Sequence, residues 1–142
     1  MTIQQSQDTI LQEFEHFSDW MDKYNYLIEL GKSLPLIDEQ YKTEQFLISG
    51  CQSQVWLHAS LDNGRVYFRA DSDAIITKGI VNLLIRVFSE HTPDEIIGAN
   101  LEFIDKIGLR EHLSPTRSNG LMSMIKQMKL YAIVFKTKMQ QP

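Results

Sequence analysis

One cysteine is present in 142 residues, and its setting is the chemically most suggestive feature of the chain. Cys51 lies in Ile48-Ser49-Gly50-Cys51-Gln52-Ser53-Gln54-Val55-Trp56. A lone thiol forms no internal disulfide, and a single ligand does not hold zinc or an iron–sulfur cluster, which take three or four. Two readings remain: an inert thiol packed as a small hydrophobe, or a nucleophile that works by itself. The flanking Gly50, Gln52, Ser53 and Gln54 are polar or conformationally permissive, which suits a solvent-reachable loop better than a core strand.

His16, His58, His91 and His112 are available as bases. None carries a sequence signature linking it to Cys51, and no oxyanion site is identifiable, so Cys–His hydrolysis or acyl transfer has little support. There is no Walker glycine loop, GxGxxG, EF-hand or HExxH pattern to suggest nucleotide, calcium or metalloprotease chemistry. A persulfide carrier needs less. One reachable thiolate attacks the outer sulfur of a partner's persulfide, keeps that sulfur, and later yields it to another thiol, in parallel with thiol–disulfide exchange. A second nearby cysteine would be a hazard, because it would resolve the persulfide to a disulfide and release sulfide.

A thiol that works alone must be positioned by its neighbours. Ile10, Phe14, Phe17, Met21, Tyr24 and Ile28 recur at spacings of four and three, which predicts one amphipathic helix near residues 8–30, stopped by Gly31 and Leu34-Pro35. Phe46-Leu47-Ile48 reads as a short strand leading into the Cys51 loop. Asn63-Gly64 is a two-residue hairpin turn of type I′. It pairs Asp62 with Arg65 and gathers Leu57, Ala59, Leu61, Val66, Phe68 and Ala70 on one apolar face. Trp56, His58, Ser60, Tyr67, Arg69 and Asp71 share the other.

Ser72 or Asp73 is expected to cap the next helix, running to about Glu90. Apolar residues cover most of its circumference, and Lys78, Asn82 and Arg86 form a narrow polar stripe, the pattern of a central buried helix. Thr92-Pro93-Asp94-Glu95 is a capping box that opens a short helix closed by Gly98. Asn100 is expected to cap another that ends at Gly108. A last helix follows a turn at Ser114 to Gly120, with Leu121, Met124, Ile125, Met128, Tyr131, Ala132 and Phe135 facing inward. These elements predict one α+β domain over residues 1–142, a small antiparallel sheet of about three strands packed against several helices.

A net charge of −4 gives no general reason to expect nucleic acid or an anionic membrane as partner, since both reward a basic face. The longest apolar run, residues 79–89, is too short to span a bilayer, and the first ten residues lack a secretory n- and h-region. A soluble cytoplasmic protein is expected, in a compartment where a thiol stays reduced.

Four segments resemble one known family, the SufE-like proteins (SufE and CsdE), which accept sulfur from a cysteine desulfurase that uses pyridoxal phosphate. They are Tyr24-Asn25-Tyr26-Leu27-Ile28-Glu29-Leu30-Gly31-Lys32 with Leu34-Pro35; Gly50-Cys51-Gln52-Ser53-Gln54-Val55-Trp56; Asp71-Ser72-Asp73-Ala74 with Lys78-Gly79; and Leu113-Ser114-Pro115-Thr116-Arg117-Ser118-Asn119-Gly120-Leu121. They follow the family's order over nearly the whole chain. Thr116 stands where many members have serine.

The resemblance implies a SufE/IscU-like fold. It makes Cys51 the persulfide-carrying residue, on a loop that retracts the thiol or extends it to a SufS- or CsdA-like desulfurase. Gly50, Gln52, Ser53 and Gln54 would support that loop or meet the partner. Asp73 and Arg117 fall at positions implicated in partner contact or in holding the loop, with plain helix capping and surface ion pairing as their alternatives. Pyridoxal phosphate belongs to the partner, so no cofactor is expected here. The sulfur would pass toward iron–sulfur cluster assembly or another acceptor. A scaffold role in the manner of IscU is disfavoured, because a scaffold needs three cysteines. The alternative function is a binding module that stimulates a desulfurase without receiving sulfur. Gln52, Ser53 and Gln54 resemble the SufE branch and Gly108-Leu109-Arg110 the CsdE branch, so the branch stays open.

Overall fold

The computed structural model describes residues 1–140. Its chain order is α1 (Ile3–Glu15), α2 (Trp20–Gly31), two 3-10 turns at Glu39–Tyr41 and Glu44–Phe46, β1 (Val55–Asp62), β2 (Arg65–Ser72), α3 (Ile75–Phe88), α4 (Pro93–Ile97), α5 (Phe103–Lys106), α6 (Leu109–His112) and α7 (Pro115–Gln140). The class is α+β, with helices built around a small antiparallel hairpin. No helix among the described residues is long and apolar enough to cross a membrane.

The hairpin follows its turn chemistry. Asn63 (φ 52°) and Gly64 (φ 76°) both take positive φ, and the pairing runs from Asp62↔Arg65 to Val55↔Ser72. Leu57, Ala59, Val66, Phe68 and Ala70 are buried on the face turned to α3. The sheet has two strands rather than about three. Phe46 closes a 3-10 turn, and only Leu47 of the expected strand bridges β1, at Trp56. On the far edge Leu36 makes a single parallel bridge to Ala70. Short bridges of this kind occupy edge hydrogen bonds without extending the sheet.

The helix expected over residues 8–30 is two helices. Asp19 takes extended backbone and accepts from the Asp22 N–H at 2.9 Å, which starts α2 afresh. Phe17 then folds back onto Phe14 and Tyr26, with ring centroids 6.2 and 5.0 Å away. A local cap thus outweighed continued periodicity.

α3 is the central helix, and its polar stripe is spent on neighbours. Asn82 is buried and donates to the Leu30 carbonyl at 2.7 Å. Arg86 grips Glu13 through both carboxylate oxygens at 2.8 and 2.6 Å, and Tyr26 donates to the same carboxylate. The Arg86 contact, foremost, holds Glu13 below the ordinary carboxylate range despite partial burial. Lys78 reaches Asp71 at 3.5 Å. Close packing of α2 on α3 requires Gly79, since a Cβ there would lie 1.9 Å from the Leu27 carbonyl oxygen.

Three helix starts differ from expectation. Neither Ser72 nor Asp73 is the cap of α3; Ala74 is, without a side-chain bond. Asn100 does not cap α5, whose cap is Glu102. Residues 115–120 are the first turns of α7 rather than a turn before it, because Ser114 accepts from the Arg117 N–H at 3.2 Å and Pro115 fits the first helical position. The Thr92 capping box forms as expected, its hydroxyl accepting from the Glu95 N–H.

Candidate functional site

Cys51 stands at the open end of the hairpin, in the loop that enters β1. Gly50 before it has φ 88°, a backbone that L side chains rarely adopt. The torsion therefore demands glycine, and a Cβ there would also lie 2.6 Å from Ser123 Oγ of α7, which would have to turn aside. Upstream, the Ile48 N–H donates to the Val55 carbonyl at 2.9 Å. Downstream, three bonds converge on Gln54: its N–H donates to Asp73 Oδ1 (3.1 Å), and its carbonyl accepts from Ser72 Oγ (2.7 Å) and the Asp73 N–H (3.3 Å). Both ends of the loop are therefore fixed by backbone bonds, leaving Ser49 to Ser53 between two anchors.

The thiol points inward and is half-buried. Its hydrogen bond goes to the Gly120 carbonyl of α7, with Sγ···O 3.7 Å. A Cβ on Gly120 would lie 3.5 Å from Sγ and 3.6 Å from Cys51 Cα, ordinary contact distances, so α7 passes close under the loop. Cys51, Gln52, Ser53, Thr77, Arg117, Gly120 and Met124 line a narrow cleft. Burial pushes the Cys51 thiol above its ordinary pKa, so the resting group is the neutral, unreactive thiol. A wider surface hollow lies on the loop's outer side, lined by Glu44 and residues 47–54.

The expected site residues separate into distinct roles. Gly50 holds the positive φ at the start of the loop. Gln52 is exposed while touching the cleft, Ser53 is half-buried in it, and Gln54 is an exposed side chain on an anchored backbone. Asp73 does not cap α3 but clamps Gln54. Arg117 lines the cleft itself, and among the described residues it has no carboxylate within 4.0 Å, so the ion-pair alternative is not realised. His58 is not brought to Cys51. Its ring stacks on Tyr41 at 4.0 Å, edge-on to Phe46, and burial lowers its pKa although Asp38 opposes this.

The segment bearing Tyr41 is a strap across the outer face of the hairpin. Lys42 binds Asp71 at 2.9 Å and lies 4.9 Å from the centroid of the Trp56 ring. Partial burial raises the Asp71 pKa, but Lys42, the Ser72 N–H and Lys78 together leave it below the ordinary range. The strap leads directly into the Cys51 loop and holds its upstream end on β1.

Sequence reasoning missed Ser72, Thr77, Ser123 and Met124 as site residues, and gave Gly120 no role. Gly120 did carry a signal. Ser114-Pro115 is a helix-start pair, and a glycine five residues into a helix costs stability relative to alanine, which marks the position.

Comparison with known proteins agrees with this architecture. A solution structure of a hypothetical protein from Thermus thermophilus superposes with a TM-score of 0.77 at 19% identity, covering 93% of this chain and 96% of that one, which establishes the shared fold. Two proteins named as uncharacterised SufE-like proteins, from Rhizobium etli and Rhizobium meliloti, are each 43% identical over 129 residues. They match 87% of this chain and 87% and 92% of their own lengths respectively. The SufE model, described as an Fe-S metabolism associated domain, matches residues 8–132. The chain belongs to the SufE family.

Proposed function

We propose that the protein is a sulfur acceptor and activator for a cysteine desulfurase that uses pyridoxal phosphate, with Cys51 as the sulfur-carrying residue. The observation that carries this reading is the lone thiol, tucked against α7 on a loop anchored at both ends, with Gly50 at positive φ where the loop starts. In the transfer, the Cys51 thiolate attacks the outer sulfur of the desulfurase persulfide. The partner's S–S bond breaks, its electron pair leaves with the partner's cysteine as thiolate, and Cys51 becomes Cys–S–SH. One persulfide and one thiol exchange roles with no net oxidation, so no oxidant or metal is consumed.

Because burial disfavours the thiolate, Cys51 is quiet until a partner draws the loop outward. Gln52 and Gln54, exposed beside it, are the first polar groups such a partner meets. A reducing compartment such as the cytosol suits the reading, since a thiol there persists. The sulfur would then pass to an iron–sulfur scaffold or another acceptor thiol, with residues 1–142 acting as one domain.

Incubation with a desulfurase and cysteine is expected to add about 32 Da at Cys51, the mass of one transferred sulfur, and Cys51→Ser is expected to gain nothing. If desulfurase stimulation survived intact in Cys51→Ser, the protein would instead be a stimulating module that carries no sulfur.

A further inference from the structure

Thr77 is a polar residue that neither the fold nor the loop anchors use. It lies in the first turn of α3, is only 4% exposed, and lines the same cleft as Cys51. Its hydroxyl makes no hydrogen bond to any described residue, although among those residues no fully enclosed side-chain nitrogen or oxygen lacks a partner. The hydroxyl is therefore not fully enclosed, and its residue lines the cleft. That same turn starts without a capping side chain, and the first N–H groups of a helix have no partner within it. The fourteen-residue helix thus has the positive end of its dipole at this turn, and Thr77 is the residue of the turn that lines the cleft.

The cleft has a cavity volume of about 10 Å³, which is the threshold for one water-sized guest. A persulfide adds one sulfur atom, larger than a water molecule, so the cleft takes it with a small outward shift of the loop. The outer sulfur of a persulfide is a stronger acid than the parent thiol, so the guest is an anion near neutral pH. An anion in a partly buried cleft needs donors. We propose that Thr77, with the Arg117 guanidinium, holds the outer sulfur of a Cys51 persulfide inside this cleft.

This rests on the sulfur-acceptor reading and adds where the cargo sits. The resting thiol and the loaded persulfide then differ in kind. Burial keeps the thiol protonated, whereas the two donors keep the added atom ionised but enclosed. The charged groups nearest the cleft are few. Arg117 faces it from α7, Asp73 before α3 is engaged by the Gln54 N–H, and Lys78 is turned to Asp71. Thr77 is the donor whose removal changes no charge and breaks no existing bond.

The test loads the full-length protein with glutathione persulfide by the same exchange, Cys–SH plus GS–SH giving Cys–S–SH plus GSH, and confirms the product by mass. The pH dependence of alkylation at the outer sulfur then reads its ionisation. For Thr77→Val the midpoint is expected to rise by about one pH unit, the effect of one lost hydrogen bond to a charged group. Thr77→Ser is expected to restore the wild-type midpoint, which a packing effect alone would not do. If Thr77→Val titrates like wild type, or Thr77→Ser like Thr77→Val, the assignment is overturned while the sulfur-acceptor reading stands. If the wild type gains sulfur neither from this donor nor from a desulfurase, both fall.

Discussion

The two ends of the β1–β2 hairpin each carry a glycine at positive φ, Gly64 at the tip and Gly50 at the thiol loop, yet they are determined in opposite ways. At the tip, Asn63-Gly64 closes a two-residue turn whose twist suits the strands, and the nearest outside atom to a Gly64 Cβ would be Met139 Cε at 3.8 Å. The turn is self-sufficient. At the thiol end the local Ile48–Val55 bond closes only the base of the loop, and the rest of the path is set from outside. Ser72 and Asp73 grip Gln54 from 18 and 19 residues away, and Gly120 accepts the thiol from 69 residues away. A loop shaped by distant side chains opens when those contacts are exchanged for a partner's, whereas a turn shaped by its own torsions does not. The sulfur chemistry proposed for Cys51 needs the first kind.

The largest contrast is expected from the same substitution at both ends. Gly64→Ala forces a methyl into the left-handed region and is expected to lower stability by about 1–2 kcal/mol, leaving Cys51 alkylation as it was. Gly50→Ala meets the same torsional penalty and in addition clashes with Ser123 Oγ. Its strain is relieved when the loop lifts, so Cys51 alkylation is expected to rise about tenfold as the open form gains population. Chemical denaturation and alkylation rates together check this. Equal alkylation in the two variants would remove the distinction between the hairpin's ends.

How legible each region was follows the same division. The hairpin register could be read from Asn63-Gly64, and the apolar face followed from the pleat, because both are local rules. The buried character of α3 was legible from its composition. Its polar stripe was visible too, but not its purpose, since Glu13, Leu30 and Asp71 reach Arg86, Asn82 and Lys78 from three different elements. Periodicity carried the first helix straight through Asp19, where a cap breaks it. Cys51 was legible as the candidate reactive residue by its isolation. The pocket around it was not, because Thr77, Gly120 and Met124 are ordinary helix residues that become a cleft only when α3 and α7 meet beneath the loop.

A smaller effect separates holding the loop from capping the helix. Asp73→Ala removes the acceptor of the Gln54 N–H, and stability is expected to fall by about 1 kcal/mol, one net hydrogen bond. Because that bond anchors the loop rather than α3, Cys51 alkylation is expected to rise by about threefold as a fraction of that energy goes into local opening. Asp73→Asn, which keeps an oxygen acceptor, is expected to remain near wild type. Lower stability with unchanged alkylation in Asp73→Ala would return Asp73 to a purely structural role.

The smallest expected effect is a pH dependence confined to the thiol end. Burial raises the Cys51 pKa in the folded protein, so the folded state favours the protonated thiol. Its contribution to stability is then fully present below the ordinary thiol value, about 8.5. It is lost as pH rises from there through the raised folded-state value. Tyr26 and Tyr131 are also raised, foremost by burial, and they too weaken the fold in alkali. They are common to wild type and Cys51→Ser, so the difference in urea unfolding free energy between the two isolates the thiol. That difference is expected to be constant below the ordinary thiol range and to move against wild type above it, by less than Asp73→Ala produces. A difference that stays flat across the alkaline range would mean that Cys51 ionises as freely folded as unfolded. The loop would then already be open at rest, and the thiol end would be no more restrained than the solvent around it.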